Sequence, residues 1–92
     1  MQSTRITVIN EVGLHARPAA EFVRQAAQFT SEIQIRNLTR NTDWVDAKSI
    51  LGILTLGVER GHEIEVRANG QDEESAIRSL QELIETDFAG RL

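Results

Sequence analysis

Cysteine is absent from the 92 residues, and proline occurs once, at Pro18. Without thiols the chain can build neither a disulfide framework nor a thiolate metal site. A domain this small in an oxidising compartment often needs such staples, so their absence points to a soluble, cytoplasmic protein. No apolar run approaches the length of a membrane span. Met1 to Arg5 lead directly into an alternating segment with no apolar signal region. Positive charge is also scarce: ten Lys and Arg against fourteen Asp and Glu leave a net charge of −4. That balance lacks the basic footprint of nucleic-acid binding. Apolar residues make up 40% of the chain. This is enough for one core layer in a single domain over residues 1–92, but not for a deep enclosed pocket. A protein that works at its surface fits better than an enzyme that must surround its substrate.

What is present is regular alternation. Arg5 to Ile9 place Ile6 and Val8 on one face and predict a strand. A turn over Asn10 to Leu14 precedes a helix from about Ala16 to Gln28, whose inward face would carry Ala19, Phe22, Val23, Ala26 and Phe29. Glu32 to Arg36 alternate again around Ile33 and Ile35, and a weaker strand is expected through Asp43, Trp44 and Val45 after a polar turn. A short helix follows Ser49 and stops at Gly57. Glu63 to Ala68 form the clearest strand. Asn69-Gly70 then turn the chain into a last helix that opens on Asp72, Glu73 and Glu74 and buries Ala76, Ile77, Leu80, Leu83 and Ile84. Strands apolar on one face suit an antiparallel sheet with helices on that face and water on the other. The predicted fold class is therefore α/β (α+β), a two-layer, open-faced sandwich.

The chemistry is concentrated in Gly13-Leu14-His15-Ala16-Arg17-Pro18-Ala19. One imidazole and one guanidinium stand where a loop becomes a helix. A helix start offers unpaired N–H groups and a positive pole, which together favour a phosphoryl group. With Ala16 as the cap, Pro18 falls in the first turn, where its missing N–H costs little. His15 is then the nucleophile. The amides of Ala16 and Arg17 and the Arg17 guanidinium are the nearest donors to the transferred group. Gly13, without a Cβ, would let the loop approach a partner closely. No second acid, base or metal-ligand set accompanies His15, so neither a hydrolase nor any cofactor or metal is indicated.

The chain resembles the histidine-containing phosphocarrier (HPr) family of the bacterial phosphoenolpyruvate-dependent sugar phosphotransferase system. The resemblance rests on the motif at 13–19, on Ala-Lys-Ser-Ile-Leu-Gly at 47–52, and on Leu56-Gly57, Gly61 and the Gly70 turn. It implies a four-stranded antiparallel sheet with three helices on one side. It also implies that His15 takes phosphate on Nδ1 from enzyme I and gives it to the IIA domains of enzymes II, with Arg17 pairing to the phosphoryl group. Ser49 is a good helix N-cap on physical grounds. The family adds regulatory phosphorylation at that serine by an ATP-dependent kinase (HPr kinase/phosphorylase), with docking on a transcriptional regulator as a further use. Ile50, Leu51, Ile53, Leu54 and Leu56 cannot all share one face of a short helix. Ile50, Leu51 and Leu54 match the family's partner-docking positions, and Arg24 would supply a basic rim. A monomer suits a carrier that offers one surface to several partners.

Some features depart from the family or leave alternatives open. Glu11 brings an acid near the active loop, the segment from Arg36 to Asp46 is longer than in compact members, and Trp44 is unusual there. Trp44 is expected on or near the sheet, and His62 is expected to be solvated. A nitrogen-type paralogue and a regulatory module working through Ser49 stand beside the sugar-branch carrier.

Overall fold

The computed structural model describes residues 1–90. The elements run β1 (Gln2–Thr7), α1 (Ala16–Ala26), β2 (Glu32–Asn37), β3 (Val45–Asp46), α2 (Ile50–Thr55), β4 (Glu63–Asn69) and α3 (Glu73–Glu85), followed by a short turn, Asp87–Gly90. The four strands form one antiparallel sheet in the order β1-β4-β2-β3. This is the open-faced sandwich that the alternation predicts. Ile6, Ile33, Ile35, Ile64, Val66 and Ala68 point from the sheet into a core shared with Phe22, Ala26, Ile77, Leu80 and Ile84 of the helices. Burying a side chain of that size is worth about 1.5–3 kcal/mol, so this single layer carries most of the fold's stabilisation.

Several boundaries differ from the sequence reading. β1 starts earlier and ends at Thr7. Val8 is nonetheless buried, because its amide donates to the His62 carbonyl (2.9 Å) and its carbonyl accepts from Gly61 (2.8 Å). α1 closes at Ala26, and Ala27 to Phe29 continue as tighter turns. β3 is two residues long, starting two positions later and ending one position later than expected. Trp44 just misses the ladder and lies across the sheet's open face, with the Arg67 guanidinium 3.9 Å and the Arg36 guanidinium 4.6 Å from its ring centre. Stacking on two cations offsets the edge hydrogen bonds that a longer β3 would have made. His62 is half-buried, not merely solvated: its Nδ1 accepts from the Glu59 amide (3.1 Å) and lies 3.1 Å from the Asn37 side-chain nitrogen.

The turn at 87–90 was not foreseen. Asp87, Phe88 and Ala89 all have positive φ, a left-handed turn that drops Phe88 completely into the core. Left-handed backbone disfavours residues with a Cβ, and no local preference announces it; burial of the ring is what holds it.

Candidate functional site

α1 begins at Ala16, as the sequence indicates, but its cap lies one residue earlier than expected. His15, not Ala16, is the N-cap: its backbone is extended (φ −95°, ψ −175°) and its carbonyl accepts the Ala19 amide at 2.8 Å. Pro18 is therefore the third residue of α1, still where a missing N–H is harmless. The Ala16 and Arg17 amides precede the first intrahelical bond and face outward from the helix start. A capping side chain normally turns back onto those amides through a short oxygen. The imidazole has none and makes no capping bond. His15, Ala16 and Arg17 are all exposed. A reactive ring, two amides and a guanidinium thus share one helix end that is open to a partner.

The loop beneath is rigid for an internal reason. Gly13 is buried with φ +67°, and a Cβ there would collide with the Val58 carbonyl. The expectation that Gly13 serves a partner's close approach gives way to this packing: the close approach is to Val58 of the same chain. The Leu14 amide then donates to that same carbonyl at 3.0 Å, and the Leu14 side chain is buried. The chain is pinned up to the residue before His15 and exposed from His15 to Arg17. Glu11 is exposed in this loop, as is Val12, an apolar residue 55% exposed that sequence reasoning passed over. Its signal was present as an apolar residue inside an otherwise polar turn.

Ser49 is the N-cap of α2, with its Oγ accepting the Gly52 amide at 3.1 Å. α2 buries Ile53 and leaves Ile50, Leu51 and Leu54 exposed, Leu51 most of all at 74%. These are the three positions assigned to docking from the sequence, and α2 packs against α1. Arg24 is exposed on α1 but is paired with Glu21 at 2.6 Å, so the basic rim is partly neutralised within its own helix. Among the described residues no three His, Cys, Asp or Glu side chains come together as a metal site. No helix there is long and apolar enough to cross a membrane. A cleft of about 300 Å³, lined by Thr30, Ser31, Glu32, Gln34, Asp46 and Lys48 among others, includes none of the site residues.

Residues 2–86 match the family described as the PTS HPr component phosphorylation site. The chain is 40% identical over 88 residues to a phosphocarrier protein HPr of Neisseria meningitidis, covering 96% of each. It is 47% identical over 78 residues to a multiphosphoryl transfer protein of Haemophilus influenzae; this match covers 85% of the chain but spans 16% of that longer protein. Among solved structures, HPr-C-His of Thermoanaerobacter tengcongensis superposes with a TM-score of 0.91 at 44% identity, covering all of both chains. An HPr dimer from the same organism superposes at 0.74 and 45% identity, covering 96% of this chain and 98% of that one. With the fold, the motif and these likenesses in agreement, the chain belongs to the HPr family of phosphotransferase-system phosphocarrier proteins.

Proposed function

We propose that the protein, acting as a single domain and a monomer, accepts a phosphoryl group from enzyme I on Nδ1 of His15 and donates it to IIA domains of enzymes II. The observation that carries this reading is the helix start itself: an N-cap histidine whose ring makes no capping bond, followed by the outward-facing Ala16 and Arg17 amides. In the transfer, the ring-nitrogen lone pair attacks the phosphorus held on the enzyme I histidine. The new N–P bond forms as the old one breaks, and the donor imidazole keeps the departing pair. The Arg17 guanidinium and the two amides meet the negative charge of the transferred group. Nearly all the work is positioning and electrostatics. The protein is altered in each half-reaction and restored in the next, which makes it a carrier and not a turnover enzyme.

Ile50, Leu51 and Leu54 form the apolar part of the docking surface, with Arg24 at its rim. Ser49 is a second phosphorylation site, used by a dedicated kinase. A phosphate there sits at a helix start, where the dipole favours it, yet puts about −1.5 to −2 of charge beside the apolar patch. It therefore slows exchange with enzyme I, and it offers a transcriptional regulator a new feature to recognise. The nitrogen-type alternative differs in the acceptor that takes the phosphate. The test is a chase. Phosphorylated protein separated from enzyme I should lose its phosphate to a sugar-specific IIA domain within seconds. Retention of the phosphate, while a nitrogen-type acceptor takes it, would move the protein to the other branch.

A further inference from the structure

Among the described residues three polar side chains are buried: Asn10, Ser31 and Asn37. Two of them are fully occupied in holding the scaffold. Ser31 donates to Asp72, and Asn37 bonds the Leu56 carbonyl, the His62 ring and the Arg40 amide. Asn10 differs. Its Nδ2 donates to the Gly13 carbonyl, while its Oδ1 is the buried side-chain atom that finds no partner. Turning the amide over would set Oδ1 against the Gly13 carbonyl, two acceptors face to face, so the observed orientation is the better one. An unpaired buried acceptor is costly, and native structures keep few of them. An apolar residue would fill a 3%-exposed position without that cost. The amide is therefore explained by the bond it makes and not by a gain in stability.

That bond closes the loop before His15. The Gly13 amide donates to the Asn10 carbonyl at 3.2 Å, and the Asn10 side chain returns to the Gly13 carbonyl, so the four residues are tied in both directions. Asn10 grips one side of the Gly13–Leu14 peptide through its carbonyl. The Val58 carbonyl grips the other side through the Leu14 amide at 3.0 Å. His15 is the next residue, and its extended backbone sets where the ring stands relative to the Ala16 and Arg17 amides. We infer that Asn10 is a positioning residue for phosphoryl transfer: its buried amide fixes the Gly13–Leu14 peptide plane and so the direction in which His15 leaves the loop. This rests on the reading of His15 given above.

Asn10→Asp replaces the donor by an acceptor at nearly unchanged size. Ile84→Val, which trims the core on α3, controls for destabilisation alone, and Asn10→Ser stands in where Asn10→Asp does not fold. Each is phosphorylated with phosphoenolpyruvate and enzyme I, and the rate at saturating carrier (kcat) is separated from KM. A displaced ring should lower kcat roughly ten- to a hundredfold in the folded Asn10 variant. KM should stay within about twofold because the α2 surface is untouched, and Ile84→Val should match the wild type. An unchanged kcat, a loss confined to KM, an equal loss in Ile84→Val, or failure of both Asn10 variants to fold would overturn the positioning role. Failure of the wild type itself to take phosphate from active enzyme I would overturn the reading of His15, and the role of Asn10 with it.

Discussion

Two helix starts in this molecule carry a residue able to take a phosphoryl group, and they use their caps in opposite ways. At α1 the cap is His15, whose ring makes no bond to its own helix, leaving the amides beyond it for something else. At α2 the cap is Ser49, whose hydroxyl accepts the Gly52 amide and so completes the helix. α1 is eleven residues long and rooted by Phe22 and Ala26 in the core; α2 is six residues long with Ile53 as its buried anchor. A well-anchored helix can leave its first turn uncapped, because tertiary packing supplies its stability. A six-residue helix has little packing to spare. On the proposed reading the same physical feature serves chemistry in one place and structure in the other, and modifying Ser49 would act on both the cap and the adjacent patch.

The sharpest break in that contrast should come from Arg17→Ala, which removes the side-chain cation from the α1 start and leaves both helices folded. Transfer to His15 should slow roughly a hundredfold, as for the loss of one charged donor to a transition state. Rapid-quench phosphorylation by enzyme I measures it, and a rate within threefold of wild type would deny Arg17 its role. Next in size is Leu51→Asp, on the α2 side. It should raise KM for enzyme I by tenfold or more, as expected for an exposed apolar anchor, with little change in kcat. Ser49→Asp places the charge two residues earlier. It keeps a capping oxygen, so it should slow exchange by several-fold with the melting temperature nearly unchanged.

Ser49→Ala separates the two starts most cleanly. Loss of the cap should cost about 1 kcal/mol, a fall of roughly 4–8 °C in melting temperature for a domain of this size, while His15 phosphorylation proceeds at the wild-type rate. A slowed His15 would mean that the starts are coupled through the packed helices. The smallest effect concerns a third helix start, at Asp72 before α3. Its carboxylate accepts from the Ser31 hydroxyl and from the Thr30 (2.8 Å) and Ser31 (3.0 Å) amides. The Ser31 hydroxyl first, and then the Thr30 amide, hold its pKa at about 2, against an ordinary 3.8. A carboxylate held low stabilises the fold above pH 3.8 and loses that contribution as pH falls toward 2. Acid unfolding of Asp72→Asn should be shallower across that window, and identical slopes would show that the contacts stabilise nothing.

How much of this was legible from the chain divides along the same physical line. The three longer strands and the two long helices were readable because their apolar residues recur at two- and four-residue spacings, as in Ile64, Val66 and Ala68 or Ala76, Leu80 and Ile84. The His15 motif and the Ser49 cap were readable from residue type, whereas the exposed positions of α2 came from the family resemblance, residue type implying only that its apolar side chains cannot share one face. What escaped depends on contacts far apart in sequence. The need for glycine at 13 comes from Val58, the short β3 from two arginines over Trp44, and the left-handed turn from a hole that Phe88 fills. The shift of the α1 cap by one residue is of the same kind: the Val58 carbonyl holds the Leu14 amide, His15 leaves that hold extended, and the helix starts at the next residue.

The central claim is that the unengaged cap, and not the engaged one, takes the phosphoryl group from enzyme I. Intact-mass measurement after incubation with phosphoenolpyruvate and enzyme I tests it most directly, on wild type, His15→Ala and Ser49→Ala. A single acid-labile phosphate on the wild type and on Ser49→Ala, absent from His15→Ala, is the predicted result. Phosphate that persists in His15→Ala, or no phosphate on the wild type with active enzyme I, would contradict it.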